Sequence, residues 1–255
     1  IAPLDRLSPT LAGGPTLLPL GVLGNREAFY GNWAALGQVL VVDLPGGGGE
    51  TILAGLVAAL AAALPPDRLR LRLVARRRAL PEELGALPHL AGEPIDPDDD
   101  PTVAAALAEL REELFRRLRD DEAGAALDRP EVVLVVGELA DLRGAADADT
   151  TLDLLAREGP RCGIRVLAAT TCPEALDDAL LAHFATRLVL RLLDEEQSLR
   201  LLGLTDATEL GEGVPAAYRP SGTGPDRPDA PPPPLAVAER TYGPEERRER
   251  HPYLQ

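Results

Sequence analysis

The stretch VVDLPGGGGETIL, Val41 to Leu53, decides how this chain is read. An apolar run, Gln38 to Val42, leads into four consecutive glycines, and a second apolar run, Thr51 to Leu64, follows them. Strand, glycine loop and helix in that order build a phosphate-binding loop, whose backbone N–H groups and helix N-terminus cradle anions. The full motif is G-x-x-x-x-G-K-[ST], with the lysine reaching the β and γ phosphates and the hydroxyl residue holding Mg²⁺. Here Gly49-Glu50-Thr51 stands in the place of G-K-[ST], and Leu44 falls on the first glycine position. Thr51 keeps the hydroxyl, whereas Glu50 puts a negative charge where the lysine belongs. The loop is a nucleotide site, a degenerate one or only a turn, and the rest of the chain has to choose.

Composition narrows the choice. At 255 residues and 45% hydrophobic content the chain buries a sizeable core, and one α/β domain with extensions is the economical reading. The longest nearly uncharged run, Ile52 to Leu64, is shorter than the roughly 20 apolar residues a bilayer span needs. There is no Met, even at position 1, so the chain is expected to be a piece of a longer polypeptide. Acidic residues number 41 against 26 basic ones, a net charge of −15 that repels phosphate backbones and disfavours nucleic acid as a partner. Every basic residue is Arg, so no lysine elsewhere in the chain can substitute for the missing one. Cys162, Cys172, His89, His183 and His251 show no metal-ligand spacing, and no metal site is expected.

Alternation of strand and helix runs through the middle of the chain. Leu17 to Val22 and Glu27 to Tyr30 read as a leading hairpin turning at Gly24 and Asn25. Arg68 to Val74 alternates Arg with apolar residues, as a strand with one exposed face does. Thr102 to Arg119 reads as a helix capped by Asp100 or Thr102, and Glu131 to Val136 as a β-branched strand. Helices are expected at Thr150 to Glu158, Glu174 to His183 and Glu195 to Leu202, with strands at Ile164 to Ala169 and Leu188 to Leu193. Such alternation predicts a parallel sheet with helices on both faces. Pro220 to Leu235 contains four consecutive prolines and reads as an extended linker, before a charged tail.

Two further strands end in polar residues beside the glycine loop. VVLVVGELADL, Val132 to Leu142, has the form of a Walker B strand, and GIRVLAATTCP, Gly163 to Pro173, ends where a nucleotide sensor lies. With these in place the chain resembles the FtsK/SpoIIIE motor ATPases, including the EccC-type ATPases of type VII secretion. Their second strand ends in D-E-L-A-D-L, which Gly137-Glu138-Leu139-Ala140-Asp141-Leu142 departs from only at its first residue. Their next strand ends in A-T-Q-R-P, and Ala169-Thr170-Thr171-Cys172-Pro173 keeps the frame without the Gln and Arg. LPHLAGEPIDPDDDPTVAAALAELREELFRRL, HFATRLVLRL and GEGVPAAYRPSG resemble, in the family's order, the segment between the Walker motifs, the closing strand and the final glycine hairpin. A Rossmann reading fails because G-x-G-x-x-G cannot be placed, and no G-x-S-x-G nucleophile elbow occurs.

The resemblance implies an α/β, RecA-like P-loop NTPase fold, with a mostly parallel sheet and helices on both faces. It implies one degenerate ATPase-like domain over residues 1–222, including the hairpin extension, and a Pro-rich linker and tail over 223–255. Gly47, Gly48, Gly49, Glu50, Thr51 and Thr171 are then the remains of the nucleotide site, and Glu138 the vestigial catalytic glutamate. In an active member a lysine, a Walker B Asp, a Glu and a sensor Gln share the chemistry; here those positions hold Glu50, Gly137, Glu138 and Thr171. A unit charge about 4 Å from a phosphate oxygen is worth roughly 4 kcal/mol at an effective dielectric near 20, and a reversal of sign approaches twice that. No cofactor is therefore expected, ATP and Mg²⁺ entering only if the degenerate site retains binding.

The expected function is a regulatory or substrate-recognition module of a multi-domain, type VII secretion-like motor, located in the cytoplasm or on the cytosolic side of a membrane-anchored protein. Its expected partners are the other ATPase modules of the same polypeptide, in a hexamer of the full-length protein, and a secreted protein substrate. The alternative is a DNA translocase domain that binds ATP and duplex DNA, which would use a basic patch such as Arg76, Arg77 and Arg78. Arg187 and Arg191 lie where the family places basic residues near subunit contacts, and each reads equally well as a structural ion-pairing residue.

Overall fold

In a computed structural model, residues 16–22, 28–76, 80, 84–122, 129–210 and 217–219 are described. Strands β1 (Leu17–Val22) and β2 (Ala28–Asn32) form a separate antiparallel hairpin. The other six make one sheet: β3 (Val39–Val42), β4 (Leu69–Val74), β5 (Glu131–Val136), β6 (Ile164–Thr170), β7 (Thr186–Val189) and β8 (Ala217–Arg219). Its spatial order is β4-β5-β6-β3-β7-β8, parallel throughout except for the antiparallel pairing of β8 with β7.

The sequences of the strands explain their places. β3, β6 and β7 are buried along their whole length, as strands covered on both faces must be; β3 is wholly apolar, while the polar residues of β6 and β7, Arg165, Thr170, Thr186 and Arg187, are buried with hydrogen-bond partners. β4 instead alternates, with Leu69, Leu71 and Leu73 buried while Arg70 is exposed and Arg72 half-buried. Successive side chains point to opposite faces. Val39, Val41, Leu71, Val133 and Leu167 accordingly pack with the hairpin and helix α2 (Gly49–Ala63). Leu40, Val42, Leu134, Val136 and Val166 pack on the other face against α3 (Asp100–Glu122), α4 (Ala148–Glu158), α5 (Asp178–His183) and α6 (Glu195–Leu202). A four-residue helical turn, Trp33–Leu36, joins β2 to β3.

Three of the boundaries that differ from the sequence expectation have a clear local reason. The first turn of α3 is capped by Asp99 rather than Asp100 or Thr102, since its carboxylate accepts from the Thr102 amide at 3.3 Å and the Thr102 hydroxyl at 2.7 Å. The helix expected over Glu174 to His183 begins only at Asp178, because Asp177 caps it through the Leu180 amide at 2.7 Å, while Pro173–Ala175 forms a separate 3-10 turn. The strand expected at Leu188 to Leu193 is Thr186–Val189 instead: Leu190 makes a last bond to the Val42 carbonyl, after which Leu192 bonds Ala207. The turn at Gly24 and Asn25, Arg77, Arg78, and the tail from residue 220 onward lie outside the described residues.

A buried arginine ties the hairpin connection to this core. Arg165 stacks on the Trp33 ring, 4.5 Å from its centroid, and donates to the Trp33 carbonyl at 2.7 Å, fastening the hairpin connection to the sheet. The Trp33 indole N–H completes the cluster by donating to Glu131 at 2.5 Å.

Candidate nucleotide site

The C-terminal ends of β3, β5 and β6 converge on one side of the sheet, where open parallel sheets place their ligand sites. The loop after β3 has the phosphate-loop shape. Gly46 and Gly48 take positive φ values of 83° and 104°, which side chains with a Cβ adopt only under strain, and α2 starts at Gly49. Gly47 closes a turn onto the Leu44 carbonyl at 2.9 Å. Glu50 and Thr51 lie exposed in the first turn of α2, where the acidic side chain complements the helix dipole.

The cradle holds a residue that sequence reasoning passed over. Asp43, only 4% exposed, folds back into the loop: one carboxylate oxygen accepts from the Leu44 amide at 2.7 Å, the other from the Gly49 amide at 2.7 Å. A Cβ placed on Gly47 would lie 2.0 Å from the first of these oxygens, so the side chain fills the floor of the loop. The signal was present in the sequence as an acid at a strand end bordering a glycine run. Nothing in the phosphate-loop motif assigns that position a role, and it went unread.

Glu138 and Thr171, expected at the site, are brought together. Glu138 follows β5, and its carboxylate accepts from the Thr171 amide at 2.7 Å, the Thr171 hydroxyl at 2.8 Å, the Thr170 hydroxyl at 2.5 Å and the Ala140 amide at 3.1 Å. Four donors saturate a carboxylate. The group is thereby fixed as the cap of the 3-10 turn Leu139–Gly144 and the clasp between the ends of β5 and β6. The Walker B position, Gly137, packs against β4's continuation: a Cβ there would meet the Ala75 Cβ at 3.0 Å and the Leu80 Cδ1 at 3.1 Å.

The remaining candidates have structural partners. Asp141 forms an ion pair with Arg76 at 2.8 Å, and Arg76 also reaches Asp98 at 3.2 Å, so this arginine is held within the loop cluster. These carboxylates push the Arg76 pKa up from its ordinary value, chiefly through the Asp141 hydrogen bond. Arg187 is buried and donates to the carbonyls of Leu181 at 2.6 Å, Phe184 at 3.1 Å and Leu201 at 2.8 Å, closing the ends of α5 and α6. Cys172 is half-buried, and His183 contacts Asp153 at 3.1 Å. Among the described residues, no group of three His, Cys, Asp or Glu is placed to hold a metal.

As arranged, these residues do not fit a nucleoside triphosphate with Mg²⁺. A triphosphate needs the space Asp43 fills, a cation where Glu50 stands, and a carboxylate at the position that Gly137 leaves without a side chain.

No family model matches the sequence, and no curated protein does. Solved structures do match in fold. EssC (ATPases 2 and 3) from Geobacillus thermodenitrificans superposes with a TM-score of 0.69 at 19% identity, over 80% of this chain and 42% of that one. The cytoplasmic domain of the Thermomonospora curvata type VII secretion ATPase EccC gives 0.65 at 24% identity, over 78% and 26%. T. curvata EccC (ATPases 2 and 3) in complex with a signal sequence peptide gives 0.60 at 23% identity, over 72% and 37%. The chain thus spans less than half the length of each. No helix among the described residues is long and apolar enough to cross a membrane. A parallel sheet, helices on both faces and a phosphate-shaped loop after β3 give this chain the RecA-like fold of the FtsK/SpoIIIE-type ATPase domains found in EssC and EccC.

Proposed function

We propose that this chain is a catalytically degenerate FtsK/SpoIIIE-type module of a multi-domain, type VII secretion-like ATPase, serving regulation or recognition of the secreted substrate rather than hydrolysis. The observation that carries this reading is the phosphate loop itself, which keeps its backbone shape while Asp43 lies inside it and Glu50 stands at its lysine position. A loop that faces phosphate with two carboxylates repels it. Glu138, its oxygens saturated by the threonines and Ala140, has no lone pair left to polarise water.

Residues 1–222 form the module in this reading, and 223–255 a Pro-rich linker and tail. The partners are sister ATPase modules of the same polypeptide, assembled as a hexamer, and a secreted peptide segment of the kind bound by T. curvata EccC. The setting is the cytoplasm or the cytosolic side of a membrane. Arg76, engaged by Asp141 and Asp98, lends no support to a duplex-binding patch. Calorimetry with Mg·ATP tests the reading: no binding heat at millimolar nucleotide is expected, and tight binding with turnover would overturn it.

A further inference from the structure

We propose that Asp43 is the permanent ligand of its own phosphate loop, a built-in carboxylate that takes the place of a phosphate and holds the loop in its anion-bound shape without nucleotide. The inference deepens the proposed loss of nucleotide chemistry, yet it rests on the geometry of the loop alone.

Three observations carry it. The donor at the start of α2 is satisfied from a distance: the N-cap residue Gly48 has no side chain to offer, and the acceptor for Gly49 comes from six residues earlier, across the loop. An ordinary cap is the residue that borders the helix; Asp43 instead reaches from the end of β3, beneath Gly47, to the amide at the N-terminus of α2, the kind of helix end that binds anions. Second, the carboxylate is buried, and burying a charge costs heavily unless donors surround it. The amides of Leu44 and Gly49 and the positive end of α2 supply that compensation. Third, the side chain has little freedom to leave. Its backbone amide is bonded to the Thr170 carbonyl at 3.1 Å, which continues the β3–β6 ladder, and Gly47 lies directly against its oxygens. The loop and its occupant fit one another: the glycine at 47 admits the carboxylate, and the carboxylate supplies the anion the amides require.

Removing the side chain should then expose a working anion cradle. The test is thermal unfolding of the full chain with and without inorganic pyrophosphate, for the wild type, Asp43→Gly and Asp43→Asn. The wild-type midpoint is expected to stay unmoved at millimolar pyrophosphate. Asp43→Gly is expected to melt lower and to recover saturably with pyrophosphate, by about 2–4 °C when the anion is at about five times its dissociation constant. Asp43→Asn, which keeps the volume, is expected to melt lower without recovery. Equal stabilisation of wild type and Asp43→Gly, or no response of Asp43→Gly, overturns the proposal. If Asp43→Gly does not fold, the wild-type amide resonances of Leu44 and Gly49 decide: unmoved by pyrophosphate they support the built-in ligand, and shifting together they overturn it. Failure here and failure of the functional reading are separable. An Asp43→Gly chain indifferent to pyrophosphate leaves an ATP-silent wild type still inactive, whereas wild-type turnover of ATP defeats the functional reading whatever the variant does.

Discussion

Glu138 accepts both the amide and the hydroxyl of Thr171, at 2.7 and 2.8 Å, so one carboxylate ties the end of β5 to the end of β6. Hydrogen bonds to a charged group are worth roughly 1.5–3 kcal/mol each. Thr171→Val is expected to cost that much in urea denaturation, and Glu138→Ala more, because it strands the donors of Thr170, Thr171 and Ala140 together. Unchanged stability in both variants would show that the contact is not formed in solution.

Restoring the lysine alone is expected to fail. Glu50→Lys places a cation at the start of α2, opposing the helix dipole at a cost of about 0.3–1 kcal/mol. It leaves Asp43 in the loop, so calorimetry with Mg·ATP should show no binding heat. The double variant Asp43→Gly, Glu50→Lys, which vacates the cradle and removes the second carboxylate, is expected to bind nucleotide more tightly than Asp43→Gly alone.

Gly47 and Asp43 should behave as one unit. A methyl group at 47 meets the Asp43 carboxylate at 2.0 Å, an overlap that must displace the side chain. Gly47→Ala is expected to destabilise by about 1–3 kcal/mol, as overpacking commonly does. In an Asp43→Gly background the same change should cost at least about 0.5 kcal/mol less, a coupling that a double-mutant cycle measures. Additive effects would mean that the two residues do not touch.

Arg187 is expected to act on stability. Arg187→Ala leaves the carbonyls of Leu181, Phe184 and Leu201 without this donor in a buried setting, which should cost about 3 kcal/mol. Loss of several degrees in the melting temperature would register it. A variant that melts like the wild type would return Arg187 to consideration as a subunit-contact residue.

Acid should loosen the far end of α3 through Glu113. Burial pushes the Glu113 carboxyl up, but hydrogen bonds from Arg116 and Arg117 outweigh it and hold the group below its ordinary value of 4.5. A depressed folded-state value means that the carboxylate's contribution is complete above pH 4.5 and fades as pH falls through the lower value. Glu113→Gln is therefore expected to flatten the acid limb of stability against pH, measured from pH 6 to pH 3.

The fold was legible because its signals are additive over many residues. Glu131 to Val136 and Glu195 to Leu202 appear in the structure at their expected boundaries, and the strand, glycine and helix order around Val41 to Leu53 located the site. Boundaries slipped where one side chain decided them: Asp99 and Asp177 cap their helices by reaching over the next residues, and composition does not reveal which acid will do so. β7 slipped because its length is set by its neighbour, β3, which runs out at Val42. Within the site, sequence identified the residues that resemble a motif and missed Asp43. Its role depends on a through-space contact with Gly49 that no local pattern encodes.

The packing of Gly137 gives the module a direction in sequence space. At Gly137 the methyl group of Ala75 and the side chain of Leu80 lie 3.0 and 3.1 Å from where a Cβ would stand. A side chain at 137 would require Ala75 and Leu80 to give way by a few tenths of an ångström, and it would leave Asp43 and Glu50 where they are. On the proposed reading, hydrolysis would need changes at 43, 50 and 137 together, because each position opposes the chemistry for its own reason.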